Sequence, residues 1–175
     1  MSETTQEHKE KAPKEIGFGV ITISDSRYKA QKEKGNAGDI SGRLILDKLT
    51  EEGYKAVDYV ILPDDRDMIA DEVSEMVGTE GIDVVVCTGG TGITAKDVTI
   101  EALDGIIEKK IDGFGELFRK ASFEKIGTSV MLTRVTAGVS KRVVIFAVPG
   151  SPDAVQTALK IISKEVKHLI KHARE

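Results

Sequence analysis

The stretch Thr88-Gly89-Gly90-Thr91-Gly92-Ile93-Thr94-Ala95-Lys96-Asp97 follows directly on the apolar run Val84-Val85-Val86-Cys87. Glycine at 89, 90 and 92 lets the backbone take unusual dihedral angles and lets an anion approach its amides. A helix starting just downstream would add the positive end of its dipole. The chemistry this suits is phosphate binding. Two familiar phosphate motifs do not account for it. Gly90 to Ala95 has the letters of the dinucleotide pattern, but it follows the third strand candidate, and no acidic residue closes a further strand about 20 positions on. No glycine precedes Lys96 and no serine or threonine follows it, which excludes a Walker loop.

Asp97 has two readings. It can cap a helix by accepting backbone hydrogen bonds, or it can serve as a charged group beside a bound phosphate. The second reading gains from Asp64-Asp65, which ends another strand candidate. Carboxylates converging on a phosphate loop repel the ligand unless a divalent cation lies between them, and magnesium uses one or two such carboxylates plus phosphate oxygens. Lys96 and Arg27 supply balancing positive charge. Cys87 ends an apolar strand and reads as a buried residue, not a nucleophile. His168 and His172 stand one helical turn apart among lysines and read as cations at a helix C-terminus, not as a metal site. No serine or cysteine has the context of an activated nucleophile, so covalent catalysis is not indicated.

Elements that alternate in type must position these residues. Residues 16–23 form a strand candidate ending in Ser24-Asp25-Ser26. Residues 39–49 carry Ile40, Leu44, Ile45 and Leu49 on one helix face, with Gly53 as a stop. Residues 54–62 return to strand character and end at Pro63-Asp64-Asp65. Residues 67–77 are helical, and 82–87 are apolar on both faces, as in the centre of a parallel sheet. Residues 97–107 are expected to be helical, 112–126 an irregular stretch with Leu117, Phe118 and Ala121 at helical spacing, and 143–148 a last strand. Pro152 suits the first turn of a final helix. This pitch of strands and helices predicts a three-layer α/β/α sandwich with a mostly parallel central sheet. Ligands then lie beyond the C-terminal strand ends, where residues 24–27, 63–65, 88–97 and 149–151 would meet.

The chain has 175 residues, 40% hydrophobic and 31% charged, with a net charge of −4 and no tryptophan. That describes one globular domain, residues 15–175, behind a polar tail, residues 1–14, that holds His8. A negative chain with few aromatics is a poor nucleic-acid binder. No apolar run approaches the roughly 18 residues needed to span a membrane, and the first residues lack the apolar centre of a signal peptide. The expected compartment is the cytoplasm, where a lone cysteine stays reduced.

Several motifs in order resemble one family. Thr88 to Gly92 with Asp97, Thr99 and Glu101 is similar to the signature of molybdenum cofactor biosynthesis proteins of the MoaB/MogA type, a domain also found in gephyrin. Further matches are Ile23 to Arg27, Asp39 with Ser41-Gly42, Pro63 to Asp65, Arg134 with Ala137-Gly138, and Val148 to Pro152. Residues 113–128 look most like the MoaB branch. The resemblance implies a trimer or hexamer that adenylylates molybdopterin with ATP and Mg2+, releasing pyrophosphate and readying the cofactor for molybdate or tungstate. It implies Asp64 and Asp97 as the essential, metal-side aspartates. Thr88, Gly89, Gly90, Thr91, Gly92, Lys96, Pro149, Gly150 and Ser151 would hold the nucleotide. Ser24, Asp25, Ser26, Arg27 and Arg134 would line the molybdopterin side. Lys96 stands where the family usually has arginine, exchanging a bidentate fork for a point charge. A rival expectation is a binding protein of the same pathway that holds pterin or nucleotide without turnover.

Overall fold

A computed structural model describes residues 15–175; the tail and His8 lie outside the described residues. Six strands form one sheet in the order β2-β1-β3-β6-β5-β4. Its parallel part comprises β1 (Gly17–Ile23), β2 (Lys55–Leu62), β3 (Val84–Thr88) and β6 (Val143–Val148). β5 (Thr136–Ser140) and the two-residue β4 (Lys109–Lys110) add on antiparallel. The mostly parallel three-layer sandwich expected from the sequence is the architecture found.

Side-chain alternation on the central strands builds two cores. Phe18 and Val20, Val84 and Val86, and Val144, Phe146 and Val148 point to one face. There they meet Ile45 and Leu49 of α2 (Ile40–Glu51), Phe114 and Phe118 of α5 (Asp112–Ile126), and Val155, Ile162 and Ile170 of α6 (Pro152–Arg174). Ile21, Ile23, Val85, Cys87, Ile145 and Ala147 point to the other face. They pack on Ile69, Val73 and Met76 of α3 (Arg66–Gly78) and on Ala102 and Leu103 of α4 (Thr99–Leu103). A strand buried on both faces needs apolar residues at every position, which is why these read as continuous runs.

Three expectations need correction. The helix expected over 97–107 is only α4, five residues long, because the chain turns at Asp104-Gly105 to bring Ile106 and Ile107 under the sheet. Residues 112–126 form a regular helix despite Gly113 and Gly115, with Phe114, Phe118 and Ser122 inward and Leu117 turned to solvent. Residues 24–27, expected as a strand-end loop, instead open the helix α1 (Asp25–Lys34), which has no buried residue.

At the sheet's opposite end, Asp83 accepts the Gly17 amide at 3.1 Å and pairs with Arg174 in the last turn of α6. Asp83 is only 13% exposed at its side chain, so removing it strands the buried Gly17 amide and unties Arg174. Asp83→Ala should lose about 1–3 kcal/mol in urea unfolding, while Lys29→Ala, whose ion pair with Glu33 is solvent-exposed, should change little.

Candidate functional site

The strand order reverses at β1, which has β2 on one side and β3 on the other, and the loops after these strands face one another at the sheet's C-terminal edge. Gly89 takes φ +106, and a Cβ there would stand 2.1 Å from the Ile23 carbonyl oxygen. Gly89 donates its amide to Val148 O at 3.0 Å and accepts the Thr99 hydroxyl at 2.8 Å. One residue thus ties the ends of β1, β3 and β6 together, and only glycine fits it. Thr88 Oγ1 bonds Pro149 O at 3.1 Å, and Ser41 Oγ bonds Gly150 O at 2.6 Å. Ser151 caps α6 by accepting the Ala154 amide at 3.3 Å. The result is a cleft of about 340 Å³ floored by Thr22 and bordered by Ser24, Ser26, Arg27, Asp64 and the two glycine loops.

The helix dipole expected just after the glycine loop is supplied elsewhere. α1 begins at Asp25 with Ser24 as its N-cap residue, and its first turn lines the cleft. The Asp25 amide donates to Asp64 Oδ2 at 3.0 Å, and the Asp64 amide donates to Asp25 Oδ1 at 3.1 Å. This reciprocal pair fixes Asp64 at the positive end of α1. Ser24 and Ser26 hydroxyls lie 3.2 Å apart. Asp64 Oδ1 faces the loop, 3.1 Å from where a Cβ on Gly90 would sit. Burial pushes its carboxyl above the ordinary value, and the charges of Asp25 and Asp97 act in the same direction.

Asp97 does not cap α4. It instead closes the turn before it: Oδ2 accepts the Thr94 hydroxyl at 2.6 Å and the Thr94 amide at 2.9 Å. The Thr94 hydroxyl bond is the main reason its carboxyl is held below the ordinary value. Its side chain packs against Gly92, where a Cβ would come within 2.7 Å. Two aspartates of unlike environment therefore flank the glycine loop, each by a different glycine. Lys96 reaches Asp25 at 3.6 Å and is otherwise exposed.

Arg134 spends its guanidinium on the loop's rear. Nε donates to Gly92 O at 2.7 Å, Nη2 to Asp97 O at 3.0 Å, and a bidentate pair joins Glu101. These bonds set the loop's shape, while the side chain stays one-third exposed. Arg27 likewise bonds the carbonyls of Ala37 and Gly38 and lies 3.9 Å from Asp39.

Sequence reasoning missed Thr94, Tyr59 and Thr22. Tyr59 donates its hydroxyl to Asp39 Oδ2 at 2.6 Å, beside the Gly42 amide at 3.0 Å, in the buried N-cap of α2. Burial alone would raise the Asp39 carboxyl, but the hydrogen bonds of Thr22, Tyr59 and Gly42 and the charge of Arg27 outweigh it and hold it low. That contribution to stability is present above the ordinary carboxylate value and is lost as pH falls through the lowered one. Thr22 Oγ1 is buried beside Asp39 and Tyr59, and its hydroxyl is the largest influence holding the Asp39 carboxyl low. Only a polar residue inside an otherwise apolar strand hinted at it. Cys87 is buried and its thiol is pushed up to about 12, which removes it from any chemistry.

Residues 19–168 match the family described as a probable molybdopterin binding domain. A molybdopterin adenylyltransferase of Pyrococcus furiosus is 46% identical over 97% of this chain and 98% of its own length. Molybdenum cofactor biosynthesis protein B of Bacillus cereus is 44% identical over 93% and 94%. Among solved structures, the tungsten cofactor synthesizing protein MoaB from Pyrococcus furiosus superposes with a TM-score of 0.82 at 45% identity, covering 94% of this chain and all of that one.

Proposed function

The chain belongs to the molybdopterin-binding domain family of the MoaB/MogA molybdenum cofactor biosynthesis proteins, and from that membership we infer that it is a molybdopterin adenylyltransferase. A phosphate oxygen of molybdopterin attacks the α-phosphorus of ATP. The bond to the bridging oxygen breaks, pyrophosphate leaves, and adenylylated molybdopterin remains. Such a displacement needs no covalent enzyme intermediate, only positioning and charge stabilisation. The observation that carries the reading is the pair Asp64 and Asp97 set on either side of a glycine loop at a sheet switch point.

In this reading Thr88, Gly89, Gly90, Thr91 and Gly92 offer backbone to the nucleotide phosphates, with Lys96 and residues 149–151 around them. Ser24, Asp25, Ser26 and Arg27 line the molybdopterin side, and Arg134 serves through the loop it holds. Asp64 and Asp97 suit Mg2+, which takes one or two carboxylates plus phosphate oxygens and would offset the charge of ATP. No all-protein cage of three or more metal-ligating side chains exists among the described residues, and magnesium does not require one. Residues 15–175 act as one domain. Exposed Phe123, Ile126, Met131 and Leu132 on α5 and the following turn support assembly into a trimer or hexamer. No helix of the described residues is long and apolar enough to cross a membrane, which accords with a place in the cytoplasm.

The deciding assay combines purified molybdopterin, ATP and magnesium. One pyrophosphate should appear per adenylylated molybdopterin, and EDTA should stop it. Binding of both substrates with no pyrophosphate would establish the non-catalytic alternative instead. Thr22 provides a finer check. Thr22→Val removes a buried hydroxyl that bonds Asp39 at constant shape, so stability should fall by about 0.5–1.5 kcal/mol. If the hydroxyl serves a substrate, KM for ATP or molybdopterin should rise roughly tenfold, as for one lost hydrogen bond.

A further inference from the structure

The edge strand β2 reaches the cleft through a chain of polar contacts that begins at Tyr59. Tyr59 stands in register with Val20 of β1, on the sheet face that α2 covers. Side chains alternate along a strand, so Thr22 lies on that face too, two residues beyond Val20. The Tyr59 hydroxyl donates to Asp39 Oδ2 at 2.6 Å, while Asp39 Oδ1 accepts the Gly42 amide in the first turn of α2. Capping needs one carboxylate oxygen, and Oδ1 supplies it. The second oxygen ties the cap to the sheet. Gly42 packs so closely that a Cβ there would stand 2.7 Å from Thr22 Oγ1 and 2.9 Å from the Tyr59 ring. Asp39 is pinned between sheet and helix, with its side chain 3% exposed.

The contacts of Arg27 fall on this pinned segment. Nη1 donates to Gly38 O and, at 3.5 Å, to Ala37 O, and Nε lies 3.9 Å from Asp39 Oδ1. α1, which carries Arg27, buries no residue, so polar ties of this kind fix the arginine beside the cleft. Nη2 takes part in none of them and is left for a substrate.

We propose that Tyr59 is a positioning residue for adenylyl transfer: through Asp39 it holds the 37–39 segment that aims Arg27 at an anionic group of molybdopterin. The proposal rests on the reading of Arg27 as part of the molybdopterin side. Tyr59 itself does not line the cleft. A guanidinium binds an oxyanion well when its plane is fixed beforehand, since less freedom is then lost on binding. Without the Tyr59 hydroxyl, Asp39 is free to turn, and the Ala37 and Gly38 carbonyls with it. Affinity for molybdopterin then falls, while the glycine loop and Asp97, held by other residues, keep their places.

The test is steady-state kinetics of pyrophosphate release by the full chain with purified molybdopterin, ATP and magnesium. Tyr59→Phe keeps the ring and should raise KM for molybdopterin about tenfold, with KM for ATP and kcat near the parent's. Asp39→Asn keeps an acceptor for Gly42 but presents an amide donor to Tyr59 and no charge to Arg27, so KM should rise further. Circular dichroism should show both variants folded. Because Tyr59 acts through Arg27, Tyr59→Phe made on Arg27→Gln should add less than about twofold to the KM of Arg27→Gln alone. An unchanged KM in Tyr59→Phe would overturn the proposal. So would effects that multiply in the double variant, as independent structural losses do. The same variants are compared by molybdopterin Kd without ATP. A chain that binds without turnover would overturn the adenylyltransferase reading, yet its Kd values still decide the role of Tyr59.

Discussion

Asp97→Asn should release pyrophosphate from ATP and molybdopterin at least about 10²-fold more slowly than the parent, the scale on which one preorganised charge acts in a transition state. The change keeps the side chain's shape, and the amide oxygen can still accept from Thr94, so folding should be nearly unaffected. What is lost is the negative charge beside Gly92. Equal rates in the two proteins would remove Asp97 from the mechanism. The two aspartates also separate in their pH behaviour. Asp64, raised chiefly by burial, protonates first as pH falls, while Asp97, held low by Thr94, stays ionised. Activity should therefore decline through the Asp64 value, which burial sets above that of an ordinary aspartate. Stability runs the opposite way for Asp64: its charged form costs folding free energy above that pKa, and the cost disappears as pH falls. Excess magnesium should move the acid limb down, because bound cation favours the ionised carboxylate. Lys96→Ala should move it up, since the Lys96 charge lowers the Asp64 value. A pH–rate profile of pyrophosphate release measures all three.

Gly89→Ala should be the most damaging single methyl at the sheet's C-terminal edge. Its backbone is left-handed at φ +106, and the new Cβ would meet the Ile23 carbonyl at 2.1 Å, with no flexible side chain to give way. β1 and β3 must part at the switch point, straining the Val148 and Thr99 bonds as well. A cost of roughly 2–4 kcal/mol follows from the strain and the clash together. For a chain of this size that lowers the midpoint of thermal unfolding by about 5–15 °C. Gly105→Ala is the control: a Cβ there meets nothing within 4 Å, and the shift should stay within about 0.5 kcal/mol. Similar losses in both variants would show that the Gly89 contact is not what matters.

The central strands were legible because double burial demands an unbroken apolar run, and β6 appears with the boundaries that its residues suggest. α1 was illegible because DSRYKAQKEK buries nothing: no apolar stripe marks it, and Gly35 at φ +66 ends it without a distinctive spacing. β5 escaped for a different reason. TAGVS is short and broken by Gly138, whose missing Cβ admits Ile107 and the Lys109 carbonyl. At the site, the glycines and aspartates announced themselves. Their partners were less plain: Thr94 holds the Asp97 carboxylate within a local turn, and the Gly92 and Asp97 carbonyls that Arg134 grips come within its reach only through the fold.

The antiparallel end of the sheet bears on how the chain behaves in a crowded solution. β4 is two residues long, both lysine and both exposed, and at the other border β2 carries Lys55 and Asp58. An open strand edge is a template on which a stranger's strand can pair, and cells use charge and brevity to deny it. Lys109 and Lys110 do both at once: a newcomer would find two backbone rungs and two ammonium groups. The protein can thus expose one apolar region for company of its own kind while keeping its sheet closed to fibrous growth.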